Sequence, residues 1–159
     1  MANTKPLVAA ALICERVLRE EGGVLTAIRI VDTFKRQTVP IATPLKADGT
    51  SDATDATFNA AQVLDMTALV ILKAGSLSGQ HEVAIVIRNP EGRETHYPTK
   101  FPVNFRLNDP AEGAQLIARI VMPGNTPAGL YWIDVLWDGE KLTSIPLKLE
   151  TESTPQATA

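Results

Sequence analysis

The chain has 159 residues, of which 45% are hydrophobic and 21% are charged, and its formal net charge is -3. This length suits one domain with a core of its own, and the charge provides no general attraction to nucleic acid or to an anionic membrane. The only cysteine cannot form an internal disulfide, and no Cys/His cluster offers ligands for a structural zinc ion. We therefore expect one domain with no cofactor, no nucleic-acid partner and no membrane partner.

The N-terminal segment allows two interpretations. Residues 7–14 are apolar, as in a signal peptide, but the run is short and continues directly into Glu15 and Arg16, which favours a cytoplasmic protein. The composition of residues 7–21 favours a helix, since Ala, Leu, Glu and Arg dominate and Gly22 could end it.

A β-hairpin is the alternative for the same segment. Residues 24–31 have clear β character, and a loop Glu21-Gly22-Gly23 would connect them to the preceding residues as a second strand. The resulting register pairs Glu15 with Arg29, so that opposite charges meet across the strands.

Strand patterns recur from residue 63 onward, and each is closed by a cluster of Gly, Pro, Asn or Asp. The predicted strands are Leu64–Ala74, His81–Asn89, Arg93–Phe105, Ala114–Met122, Gly129–Trp137 and Lys141–Leu149. This rhythm predicts an all-β protein, a single β-sandwich of about eight mostly antiparallel strands with little or no helix.

Two predicted turns set the registers of their hairpins. A three-residue loop Pro90-Glu91-Gly92 places Arg88 opposite Glu94 and Glu82 opposite Lys100, so that both opposite-charge pairs lie on one face. This register also puts His81 opposite Phe101 and His96 opposite Val86.

For the last hairpin, a two-residue turn Asp138-Gly139 and a three-residue loop 137–139 are both possible. The longer loop aligns Tyr131 with Ile145 and places more apolar residues on one face of the hairpin than the shorter turn does. We prefer it for that reason. In both cases Trp132 points away from the core.

The remaining segments are expected to be irregular. Residues 1–6 are predicted to be a flexible N-terminus, residues 35–62 a long loop, and residues 150–159 a disordered tail with almost nothing apolar to bury. The folded domain is then residues 7–149.

The pattern in residues 11–17, 23–34, 129–131, 138–139 and 144–147 resembles a family of uncharacterised bacterial proteins. The resemblance implies an immunoglobulin-like or C2-like β-sandwich that begins with a hairpin, and it decides between helix and hairpin in favour of the hairpin. It implies no activity.

The sequence contains no clear combination of catalytic residues. Cys14 lacks a neighbouring base on its own face and is expected to be a small buried residue rather than a nucleophile. On the predicted register, His81 and His96 lie on opposite faces and cannot share a metal ion.

Asp48, Asp52 and Asp55 cluster on the loop 39–57, which raises the possibility of calcium binding, although their spacing fits no EF-hand. An outward-facing Trp132 suggests a contact surface for a small ligand such as a glycan. A ligand-binding or ion-binding module that uses these residues is our second hypothesis.

The leading hypothesis is a non-catalytic interaction module that binds a protein partner or a second copy of itself. Pro98 and Pro102 remove backbone donors from the predicted strand Arg93–Phe105, which indicates a guarded sheet edge. The N-terminal hairpin would then provide the edge for self-association.

Overall fold

The computed structural model describes residues 5–38, 63–95, 98–106 and 109–153. Within these ranges the only helical element is a single 3-10 turn, Glu21–Gly23. None of the described residues belongs to a helix that is long and apolar enough to cross a membrane.

Nine strands account for most of the described residues. They are β1 (Leu7–Arg19), β2 (Leu25–Ile30), β3 (Thr33–Thr38), β4 (Leu64–Lys73), β5 (Gly79–Arg88), β6 (Thr99–Phe105), β7 (Gly113–Met122), β8 (Gly129–Trp137) and β9 (Glu140–Ser153). They form a four-stranded sheet with the order β2-β1-β4-β7 and a five-stranded sheet with the order β3-β9-β8-β5-β6. The predicted all-β sandwich is confirmed.

The core lies between the two sheets and follows from the alternation of side chains along the strands. In β7, Leu116, Ala118, Ile120 and Met122 are buried, and the residues between them are exposed. The five-stranded sheet contributes a matching set of fully buried side chains, among them Ile133. Each large apolar side chain buried here contributes about 1.5–3 kcal/mol to the stability of the fold.

Two features are typical of immunoglobulin-like sandwiches. Strand β3 pairs with β9 in parallel, whereas the other neighbouring strands are antiparallel. Tyr131, near the start of β8, donates a hydrogen bond from Oη to the carbonyl oxygen of Pro127 at 2.9 Å. This bond to a residue just upstream has the geometry of a tyrosine corner, which fixes the connection between the two sheets.

The N-terminal hairpin has the predicted register. Cys14 pairs with Ile30, and Arg29 Nη1 lies 3.2 Å from Glu15 Oε2. Gly22 has a φ of 79° in the connecting turn, a backbone conformation that glycine adopts without a steric penalty. The tertiary pairing of β1 with both β2 and β4 therefore overrides the local helix propensity.

The register of the β5–β6 hairpin differs from the prediction in part. Arg88 lies opposite Glu94 as predicted, but further along Glu82 lies opposite Pro102 rather than Lys100, and His81 opposite Val103. The shift is two residues, and since side chains alternate with a period of two, every residue keeps its face. Lys100 Nζ therefore still reaches Glu82 Oε1, at 2.8 Å.

The last hairpin has neither of the two predicted registers. Asp138 and Gly139 form a two-residue turn with φ values of 47° and 83°, and an irregularity follows between Val135 and Leu136. Because of this bulge, Tyr131 lies opposite Leu147, and the two strands have apolar residues on the same face, as was expected of the longer loop. The preference for a three-residue loop was wrong, because the turn has two residues and the bulge beyond it shifts the register that the turn alone would set.

The predicted ends of the folded domain also need correction. Strand β9 continues to Ser153, because its last residues pair with β3, and the predicted disordered tail is therefore wrong for residues 150–153. Lys5 forms an ion pair with Glu140 at 2.9 Å, so the ordered part begins before residue 7. Strand β3 likewise occupies the start of the predicted loop, and the rest of that loop lies outside the described residues.

Candidate interaction surface

The four-stranded sheet has one side against the core, and we call its other side the outer face. The register and the alternation of side chains define its members. They include Thr26, Ile28 and Ile30 from β2, Ala10, Leu12, Cys14, Arg16 and Leu18 from β1, Asp65, Thr67, Leu69 and Ile71 from β4, and Gln115, Ile117, Arg119 and Val121 from β7.

The centre of the outer face is apolar. Leu12, Leu69 and Ile117 are direct cross-strand neighbours on three successive strands. Towards the β2 edge, Ile28 and Ile30 are 36% and 67% exposed. On the outer side of β4, Leu69 and Ile71 are apolar while Asp65 and Thr67 are polar, so only this half of the strand has the pattern of one that is covered on both faces.

Charged side chains border the apolar centre. Arg119 binds Asp65 through two nitrogen atoms, at 2.8 and 2.5 Å, and these hydrogen bonds hold the pKa of the Asp65 carboxyl below its usual value. Arg16 lies on the same face, and Lys73 at the end of β4 donates to the carbonyl oxygen of Ala111 at 3.1 Å. Among the described residues, three cations border this face, Arg16, Lys73 and Arg119, against the carboxylates of Asp65 and of Glu20, which accepts a hydrogen bond from Thr26.

Cys14 belongs to the outer face and is nevertheless fully buried. Its Sγ lies 3.4 Å from the carbonyl oxygen of Arg16 and 3.6 Å from that of Thr67. Burial raises the pKa of the thiol, although the contact with the Arg16 backbone acts in the opposite direction. The prediction that Cys14 is a buried residue is confirmed, and a buried neutral thiol is a poor nucleophile.

His81 is held at both ring nitrogens by its own chain. Nδ1 lies 2.7 Å from Asp138 Oδ2, and Nε2 lies 3.2 Å from the carbonyl oxygen of Ser78. The ring contacts Trp137 with centroids 4.4 Å apart and a tilt of 30° between the ring planes. A shallow cleft of about 520 Å³ opens beside this cluster, and its lining includes Lys100. Because both nitrogens are occupied, we interpret His81 as a link between two turns and not as a general base.

The carboxyl of Asp138 is held firmly in the same cluster. Its Oδ1 accepts a hydrogen bond from the backbone N–H of Glu82 at 2.9 Å. Burial raises the pKa of Asp138, but this bond and the contact with His81 outweigh burial, so its pKa lies below the usual value.

Asp134 forms a second polar cluster, which the sequence did not reveal, on the outer side of the five-stranded sheet. Its carboxylate is fully buried, with Oδ2 at 2.6 Å from Arg88 Nε and Oδ1 at 2.5 Å from Ser144 Oγ and 3.0 Å from Lys141 Nζ. Burial raises the pKa of this carboxyl, and the three hydrogen bonds lower it further than burial raises it. In the sequence, this cluster could have been recognised from Asp134, a charged residue in the centre of an otherwise apolar strand.

The residues predicted to bind a small ligand are not brought together by the described structure. Trp132 points outward from the five-stranded sheet, is 39% exposed and lies opposite Pro146. Asp48, Asp52 and Asp55 lie outside the described residues, as does His96, so the ligand-site hypothesis stays a prediction. In the described ranges, no three His, Cys, Asp or Glu side chains form a group that could hold a metal ion.

The two packed sheets, the parallel β3–β9 pair and the corner at Tyr131 define an immunoglobulin-like β-sandwich protein. The sequence model of DUF6941, described as a family of unknown function, matches residues 9–150, and the chain belongs to this family. A solved structure described as an immunoglobulin-like protein from Pseudomonas aeruginosa is similar over 94% of this chain and 100% of its own chain, with 12% sequence identity and a TM-score of 0.39. No curated protein matches the chain.

Proposed function

We propose that this protein is a non-catalytic interaction module that binds another protein through the outer face of its four-stranded sheet. The observation that carries the proposal is a set of exposed apolar side chains on this face, which flank the buried Cys14 and Leu69 at its centre: Leu18, Ile28, Ile30, Ile117 and Val121. Large apolar side chains that stay exposed on one face beside a polar border are typical of a protein-binding surface.

The size of the outer face supports this proposal. Four strands about 4.8 Å apart and ten residues of about 3.4 Å each give a face of roughly 600 Å². A specific complex of standard size buries roughly 800 Å² per partner, and since Cys14 and Leu69 in this face are already buried, such a complex must extend over the border as well.

The charges indicate what kind of protein would fit. Arg16 and Lys73 add positive charge to a border in which Asp65 is already bound by Arg119. The complementary partner is therefore a protein surface with an apolar centre and a border of carboxylates, rather than a nucleic acid, which would not match the apolar centre.

Two matched lysine variants test the proposal. Ile30→Lys changes the outer face, and Leu130→Lys is the control, since Leu130 is a 42% exposed apolar residue on the outer side of the other sheet. We expect the partner recovered from source cells to bind wild type and the Leu130 variant alike. Ile30→Lys should raise the dissociation constant at least about tenfold, because a lysine in an apolar contact must be desolvated.

The comparison uses isothermal titration with the purified partner at two salt concentrations, where a carboxylate border predicts weaker binding at higher salt. Equal dissociation constants for the two variants would show that the outer face is not the binding surface.

A further inference from the structure

Strand β7 is an edge of the four-stranded sheet with an unusually open side. All ten of its residues pair with β4 in one continuous register. Among the residues that the structure describes, no strand pairs with its other side.

The hydrogen bonds show which backbone groups of β7 are on the open side. The N–H of Ala74 donates to the carbonyl oxygen of Glu112 at 2.9 Å, just before β7 begins. Hydrogen-bonded pairs alternate along an antiparallel ladder, so the even-numbered residues of β7 bond to β4. The N–H and C=O groups of Gln115, Ile117 and Arg119 therefore point away from β4.

A groove runs beside this open side. It has a volume of about 260 Å³ and is lined by residues 118–121 of β7 together with Ile85, Ile87 and Thr99 of the other sheet or its edge. The groove exposes the gap between the two sheets at β7, so a strand added there would also cover the rim of the core.

The other three edges carry features that discourage pairing, and β7 does not. Strand β6 contains Pro102, and β2 and β3 have only six residues each. Arg29 in β2 also has a φ of 52°, which interrupts the extended backbone. Natural edge strands avoid pairing by being short, by proline and by irregular backbone. Strand β7 has ten residues and no proline, and the charge of Arg119 is neutralised by Asp65.

We propose that β7 pairs antiparallel with β7 of a second copy of this chain, which joins the two four-stranded sheets into one of eight strands. A twofold axis at Ile117 places Ile117 opposite itself and Arg119 opposite Gln115 of the second copy. An axis at Arg119 would instead bring two like charges together, which is unfavourable. The strand is thus self-complementary in a register that uses all of its free backbone groups.

This edge contact is distinct from the outer-face contact of the proposed function, and either can exist without the other. Pairing at β7 would place two outer faces side by side on one continuous sheet. The Ile30→Lys variant separates the two ideas, since it changes the outer face at β2, on the opposite edge of the sheet from β7.

Light scattering coupled to size exclusion tests the edge contact. We expect wild type and Ile30→Lys to have twice the mass of one chain, and Ile117→Pro to have the mass of one chain. Proline at 117 removes an N–H that points to the open side and leaves the β4–β7 hydrogen bonds in place. Circular dichroism verifies that Ile117→Pro is folded.

A cysteine variant gives an answer that does not depend on the proline variant folding. Cα atoms of a hydrogen-bonded antiparallel pair are about 5.5 Å apart, within the range that a disulfide spans. Oxidised Ile117→Cys should therefore run as a covalent dimer on a non-reducing gel, and Ile30→Cys should not. A monomeric wild type at high concentration, or cross-linking through Ile30→Cys instead, would overturn the proposal.

Discussion

At the scale of single residues, Asp134 shows how a buried charge can be part of the fold. Its carboxylate lies in the centre of β8 and is surrounded by three donors from the two neighbouring strands: Arg88 on β5 and Lys141 and Ser144 on β9. A buried charge without such partners would be strongly unfavourable, whereas a fully hydrogen-bonded one fixes the alignment of the strands that hold it.

Replacing Asp134 by Asn is expected to lower the free energy of unfolding at pH 7 by about 1.5–3 kcal/mol, because the buried position loses its charge-assisted hydrogen bonds to Arg88 and Lys141. The pKa of Asp134 is lower in the folded state than in the unfolded state, so its contribution is present above about pH 4. This contribution is lost as the pH falls through the folded-state pKa.

Urea unfolding at pH 7 and at pH 3 measures this effect, and the difference between wild type and Asp134→Asn should shrink at the lower pH. Asp65→Asn is the control, since Asp65 is also bound by an arginine but is exposed. An equal loss of stability in the two variants at pH 7 would argue against a special role for the buried carboxylate.

At the scale of elements, the parallel pair of β3 and β9 depends on residues that look like a tail in the sequence. Lys35 lies opposite Glu150, and Thr38 lies opposite Ser153. These segments are polar, and they pair through their backbones, while Arg36 is buried and donates hydrogen bonds to the carbonyl oxygens of Gly124 and Thr126. A pattern-based prediction that relies on apolar alternation cannot recognise such a strand.

Two C-terminal truncations test this pairing. Ending the chain after Leu149 should lower the free energy of unfolding by about 2–3 kcal/mol, at about 1 kcal/mol per lost backbone hydrogen bond. Ending it after Ser153 should change the free energy by less than about 0.5 kcal/mol. Chemical denaturation of both variants provides the comparison, and equal stabilities would mean that residues 150–153 contribute nothing.

At the scale of the whole molecule, the two sheets share one continuous core, which includes Ile13 of the first sheet and Trp137 of the second. Neither sheet has a core of its own that would survive the loss of the other. We therefore expect a single cooperative unfolding transition.

Two probes in different sheets can verify this cooperativity. Tryptophan fluorescence reports on the five-stranded sheet, and reaction of Cys14 with a thiol reagent reports on the four-stranded sheet. The two midpoints in denaturant should coincide, and Cys14 should remain unmodified below the transition. A thiol that reacts at denaturant concentrations where the fluorescence is still native would instead indicate that the N-terminal hairpin opens independently.

The sequence by itself determined the features that depend on neighbouring residues. Alternating apolar residues predicted most of the strands and the sandwich, and the pairing of Glu15 with Arg29 set the register of the first hairpin correctly. These features are predictable because a strand's faces and a short turn's register are local properties.

Only the tertiary structure decided how the strands are distributed between two sheets, which residues form the outer face and which strand edge is open. The apolar outer face is formed by neighbours such as Leu12, Leu69 and Ile117, which are distant in sequence and adjacent only through the order β1-β4-β7. The buried cluster at Asp134 and the open side of β7 likewise arise from strand order. Non-local pairing depends on the packing free energy of the whole core, and no single stretch of sequence contains that information.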